Sequence, residues 1–160
     1  MIKVSKLADY AVVILAAMEE RSEYILTAPA LARETNLAEP TVAKILKLLA
    51  QNDIVKSIRG AAGGYKLMEP VARISVAQVI EAIDGPINLT SCVDAANMSC
   101  GINNLCAMRG RWNGVNEKIR NVLEDIKLHD MDYKVASPAK AGALEDSRFR
   151  GKSSSGGVGR

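Results

Sequence analysis

The sequence predicts a mainly α fold with one small β-hairpin, a winged helix-turn-helix domain followed by a long dimerisation helix. Three observations carry that reading. Two short helical segments joined by the polar connection "TNLAE" are followed by a glycine-tipped hairpin. Beyond position 105, apolar residues step by three and four along one continuous seam. Aromatic residues make up only 4% of a chain that is 48% hydrophobic, so aliphatic helix packing has to supply the core.

Each element has a local cause. "SKLADYAVVILAAMEER" opens on Ser5, a suitable N-cap, and Leu7, Ala11, Ile14, Leu15 and Met18 recur at helical spacing. Pro29 precedes "ALARETNL", and Pro40 begins "PTVAKILKLLAQND". Proline suits the first turn of a helix, where its missing N–H would be unpaired anyway. Ile54 to Ile58 and Tyr65 to Met68 flank a glycine-rich turn and read as the hairpin. "ISVAQVIEAIDGP" reads as a short helix capped by Ser75, with Val76, Val79, Ile80 and Ile83 on one face and Gly85-Pro86 as the stop. A long helix is expected from about Leu105 to His129. After Pro138 the chain has too little apolar content to pack. The expected organisation is a DNA-binding domain over 1–86, a cysteine-bearing loop over 87–104, the dimerisation helix over 105–131 and a disordered tail over 132–160.

Composition narrows the function. The chain has 160 residues, enough for one domain and an appendage. No stretch approaches the roughly 20 apolar residues of a membrane span. Met1-Ile2-Lys3 runs straight into the first helix, so neither a signal peptide nor membrane association is expected, and the expected location is cytoplasmic. The net charge of +3 is too small and too scattered to argue for nucleic acid by itself. Local clustering makes that case instead. Residues 40–66 hold Lys44, Lys47, Lys56, Arg59 and Lys66 against Asp53 alone.

In a helix-turn-helix the second helix lies in the major groove. Val42, Ile45, Leu46 and Leu49 form its apolar stripe, which leaves Thr41, Lys44 and Lys47 facing outward. On the hairpin, Ser57, Arg59 and Lys66 are the candidate contacts, with Arg59 at the tip beside Gly60, placed for phosphate or a minor groove. Pattern alone also allows a winged helix that binds only protein. An enzyme is not expected, because no His–Cys, carboxylate-pair or phosphate-loop arrangement occurs; "GAAGG" lacks the Lys-Ser/Thr of a phosphate cradle.

All three cysteines, Cys92, Cys100 and Cys106, lie in one polar stretch, "SCVDAANMSCGINNLCAM". The C-x7-C-x5-C spacing lacks the close knuckles of most zinc sites and suits a loop that wraps an iron–sulfur cluster. Spacing leaves a zinc site, a thiol switch and inert thiols open beside the cluster. The seam that follows, Leu105, Met108, Trp112, Val115, Ile119, Val122 and Ile126, has the period of a helix that pairs with its own copy. Trp112, Val115, Ile119, Val122 and Ile126 are therefore the candidate dimer contacts, the alternative being a helix that covers its own core.

Taken together, "SKLADYAVVILAAM", "PTVAKILKLLAQNDIVKSIRGAAGGYKL", "ISVAQVIEAIDGP" and three cysteines before a long helix resemble one bacterial family. Its members are winged-helix iron–sulfur regulators of the IscR and NsrR type, and the likeness is greatest to regulators of the SUF cluster-assembly system. It covers about residues 1–131. The resemblance implies a homodimer on a double-stranded DNA operator, repressing cluster-assembly genes according to the state of a [2Fe–2S] or [4Fe–4S] cluster held by Cys92, Cys100 and Cys106. Two departures bear on the ligands. The first cysteine gap is seven residues where five is common in IscR-type members, and Arg109 stands where they place a histidine ligand. A guanidinium cannot serve, and His129 would lie roughly 35 Å along a helix from Cys106. NsrR-type members use an aspartate from the opposite subunit's first helix, and Asp9 falls at the matching position. Asp9 reads equally as an acid favoured by the start of its helix. Alternatives to the repressor of cluster assembly are a nitric-oxide or redox stress sensor for other genes and a zinc-stapled interaction module.

Overall fold

Helix α1 (Lys6–Glu20) starts where Ser5 accepts a hydrogen bond from the Ala8 N–H at 3.1 Å. Its buried residues include four alanines, Ala8, Ala11, Ala16 and Ala17, beside Ile14, Leu15 and Met18. Such small side chains let neighbouring helices approach closely. The computed structural model describes residues 3–90, Val93 and residues 110–131. The three cysteines, the expected helix start at Leu105 and the expected tail 132–160 lie outside these residues.

Helix α2 (Ala28–Thr35) is capped by Thr27 and carries Pro29 in its first turn; it ends on Asn36 in the left-handed region at φ 56°. Helix α3 (Glu39–Gln51) buries Val42, Ile45, Leu46 and Leu49, the stripe that the spacing predicts. Strands β1 (Val55–Ile58) and β2 (Gly64–Leu67) pair antiparallel, with Val55 opposite Leu67 and Ile58 opposite Gly64. One feature of the wing has no sequence signal. Leu26, between α1 and α2, exchanges two backbone hydrogen bonds with Tyr65, of 2.9 and 2.8 Å, and so adds a third row to the hairpin. That approach requires glycine next door, since a Cβ on Gly64 would lie 2.6 Å from the Leu26 carbonyl oxygen.

Helix α4 (Val76–Asp84) begins with a reciprocal cap between Ser75 and Gln78 and stops at Gly85, whose φ of +87° disfavours any side chain. Val79 of the expected apolar face enters the core, and Val76 and Ile83 pack against it. The buried surface is wider than that face, adding Ala77 and Ala82, because α4 is packed by α1 and α3 as well as by the last helix, and Val76, Ile80 and Ile83 stay half-buried.

That last helix, α5 (Asn113–Asp125), is much shorter than the expected Leu105–His129 span. Residues 110–112 form a turn closed by the Asn113 N–H donating to the Gly110 carbonyl at 3.2 Å. At the other end Ile126 adopts extended backbone at ψ 117°. Its carbonyl accepts from the Val76 N–H at 3.0 Å, and the Leu128 N–H donates to the Ile74 carbonyl at 2.9 Å. A short 3-10 turn (Leu128–Met131) follows. Leu128 is fully buried and joins the core formed by Ile14, Leu31, Ile45, Leu49 and Ile74. Burying this leucine and pairing its backbone with the start of α4 breaks a helical pattern that sequence spacing would continue.

Candidate nucleic-acid interface

The buried stripe of α3 fixes which side of the helix stays outside. Lys44 and Lys47 are exposed and one turn apart, and Thr41 is half-buried a turn before Lys44. The wing adds exposed Ser57 and Arg59 and half-buried Lys66. Register sorts these contacts. Lys56 stands opposite Lys66 and Ser57 opposite Tyr65, so the pleat puts the two lysines on one face and Ser57 with Tyr65 on the other. Ser57 and Lys66 therefore do not share a face, a division that the sequence pattern leaves undecided. Two lysines directly opposite each other weaken strand pairing, and they gather positive charge on one side of the wing.

The candidate dimer residues divide as well. Val115 and Val122 on α5 are 43% and 58% exposed, and Trp112 just before the helix is 39% exposed. Ile119 turns inward, half-buried, and lines an open groove of about 480 Å³ with Leu123, Ile80 and Val4. Ile126 lies past the helix end, 38% exposed. From Trp112 onward the described part of the seam is thus an exposed apolar face, with Ile119 turned toward α4.

Asp9 is exposed on α1 and borders a second open groove, of about 300 Å³, with Val12, Val76, Val79, Ile80 and Met131. No group of three or more His, Cys, Asp or Glu that could hold a metal converges among the described residues. His129 sits exposed in the 3-10 turn.

Two residues of the α4–α5 contact escaped the sequence reading. Asn116 is buried, and its amide bonds the backbone of residues 87 and 89. Its signal was present, since Asn116, Ile119 and Leu123 form a second stripe at helical spacing, masked by the polar residue that begins it. Arg120 makes a two-pronged ion pair with Glu81, Nε to Oε1 at 2.8 Å and the second nitrogen to Oε2 at 3.2 Å. Hydrogen bonding to Glu81, and then its charge, raise the Arg120 pKa above the ordinary value.

The Rrf2 family, described as an iron-dependent transcriptional regulator, matches residues 4–133. The chain belongs to the Rrf2 family. IscR of Xenorhabdus nematophila, an HTH-type transcriptional regulator, is 32% identical over 88 residues, which are 55% of this chain and 52% of that relative. Among solved structures, CymR, described as the global cysteine regulator of B. subtilis, superposes with a TM-score of 0.57 at 25% identity, covering 82% of this chain and 96% of its own. IscR of T. potens shares the fold at a TM-score of 0.56 and 23% identity, with 94% of each chain covered. Rrf2 proteins are DNA-binding transcription regulators and not enzymes. The winged helix expected from sequence is therefore the family's fold, and this Rrf2 chain is a transcriptional regulator of the IscR type. Among the described residues no helix is long and apolar enough to cross a membrane.

Proposed function

We propose that the chain is a homodimeric repressor of iron–sulfur cluster assembly genes whose operator binding follows the state of a bound cluster. The observation that carries the reading is the chemistry of the donors: three thiols within fifteen residues, with an exposed carboxylate, Asp9, at a groove of the DNA-reading domain. Cys92, Cys100 and Cys106 would hold the cluster as thiolates, and Asp9 contributed by the other protomer would complete the set. Asp9 fits that part because it is exposed and makes no ion pair that competes for it among the described residues. Bound there, an iron–sulfur cluster supplies a centre sensitive to iron supply, oxygen and nitric oxide.

The remaining roles belong to the chain's own groups. Lys44 and Lys47 anchor α3 to the operator, while Lys66 and Arg59 hold the wing on the backbone or in a minor groove. The exposed face of Trp112, Val115 and Val122, together with Ile119 and Ile126, pairs with its copy, and the pair reads two half-sites. The Asp9 carboxylate would be the weakest donor in the proposed set, and its position would be the one most open to exchange.

Anaerobic purification followed by iron, sulfide and zinc analysis and Mössbauer spectroscopy tests the assignment. Iron and sulfide in cluster proportion support it. One zinc per chain with no iron favours the zinc-stapled module. A cluster that forms while the protein binds only operators unrelated to cluster assembly favours the stress sensor.

A further inference from the structure

Among the described residues two polar side chains are buried, Ser75 and Asn116. Ser75 caps α4, which accounts for its burial. Asn116 lies in the first turn of α5 at 7% exposure, where helix formation asks nothing of its side chain. A buried amide costs free energy unless both halves are paired. Both are paired here. The Leu89 N–H donates to Oδ1 at 2.9 Å, and Nδ2 donates to the Ile87 carbonyl at 2.8 Å. Those two groups lie in the chain leaving α4 past Gly85-Pro86.

Helix α5 is thereby fixed to α4 and the chain flanking it at three levels. Asn116 holds its first turn, Arg120 with Glu81 its middle, and the backbone pairs of Ile126 and Leu128 the chain just past its end. The connection continues to the recognition helix, because Asn52 at the end of α3 donates from Nδ2 to the Leu48 carbonyl at 2.9 Å and to the Ala82 carbonyl of α4 at 3.4 Å. The three levels are unequal. The Arg120–Glu81 pair is exposed, and salt screens such pairs. The Ile126 and Leu128 bonds hold only the far end, and a helix held at one end pivots. Among the described residues Asn116 is the buried polar fixing at the near end.

We propose that Asn116 is a positioning residue for operator reading: its two hydrogen bonds set the angle at which α5 leaves the winged helix, and so the separation of the two recognition helices in a dimer. This rests on the dimeric reading above. A pivot of about 10° over the roughly 20 Å of a helix this long moves its end by about 3 Å. That is close to the rise of one base pair, about 3.4 Å. Half-site spacing therefore reports the angle directly.

The test uses the full chain and a duplex that wild-type protein selects from random sequence, together with versions carrying one base pair inserted or deleted between the half-sites. Asn116→Leu keeps a similar volume and removes both hydrogen bonds. Wild type is expected to lose at least tenfold in affinity for each altered spacing. N116L is expected to remain a dimer by sedimentation, with unchanged circular dichroism and salt slope, yet to discriminate spacing less than threefold. A merely structural role would lower melting temperature and leave spacing discrimination alone. Should N116L unfold, Asn116→Asp is measured in the same way, since it keeps the acceptor for Leu89 and sets a carboxylate against the Ile87 carbonyl. Undiminished discrimination in a folded variant, or unfolding of both, overturns the positioning role while the dimeric reading stands. A monomeric or spacing-blind wild type overturns the dimeric reading, and the inference with it.

Discussion

In the proposed interface Arg59 and Lys44 would meet DNA by different chemistry, and their variants should separate accordingly. Lys44 is an exposed point charge on α3. Lys44→Ala is expected to weaken binding to specific and random duplexes alike and to flatten the salt dependence by about one unit. Arg59 projects from the wing tip, where a guanidinium enters a narrow groove better than an ammonium. Arg59→Ala should cost on the order of 1–3 kcal/mol on the selected duplex and relax sequence preference under the wing. Equal losses on both duplexes in a filter-binding titration would show that Arg59 reads charge alone. Asp9 is also separable from folding, since it is exposed and α1 already has its cap in Ser5. Asp9→Ala should leave circular dichroism unchanged and shorten cluster lifetime under air several-fold; an unaltered lifetime and spectrum would return Asp9 to the part of a helix-start acid.

At the scale of elements, α5 and the turn that follows it each answer one question. Val122 is 58% exposed, so Val122→Glu leaves the protomer's packing untouched and sets two carboxylates in the apolar face of a dimer. Desolvating them costs several kcal/mol. Sedimentation should then report monomers with a folded winged helix; an intact V122E dimer would remove α5 from the interface. Ile119→Glu is the less clean probe, because Ile119 is half-buried against α4. Leu128 tests the end of the helix. It is fully buried, so Leu128→Ala should destabilise the domain by about 2–5 kcal/mol in urea unfolding, whereas a helix running through it to His129 would predict a far smaller loss. These elements show what was legible in the sequence. Periodicity located α1, α3 and the stripe of Val42, Ile45, Leu46 and Leu49, because each repeats one environment over several turns. Helix caps at Ser5 and Ser75 were legible from residue type. Pairings between distant residues were not: Leu26 with Tyr65, Asn116 with residues 87 and 89, and Leu128 with Ile74 leave no local periodic trace. For the same reason spacing carried the last helix past its true end, since Ile126 continues a heptad whose backbone has already turned away.

In the whole molecule one chain must keep three parts in register. In the proposed reading the operator face would lie on α3 and the wing, α5 would offer the surface for a second copy, and the cysteine-bearing segment runs in sequence from the end of α4 to the start of α5. Because Asp9 belongs to the same domain as α3, a ligand bond across the dimer would tie the arm of one protomer to the reading head of the other. Cluster loss would then release a restraint on the heads without unfolding either. The measurement that tests this most directly is operator affinity by anaerobic fluorescence anisotropy, taken before and after the iron is stripped by a chelator, with Cys100→Ala treated in parallel. Wild-type affinity is expected to change at least tenfold on stripping, while the C100A dimer, folded and without a cluster, matches stripped wild type under both conditions. Identical affinity for loaded and stripped wild type would contradict the claim that the cysteine arm governs DNA binding.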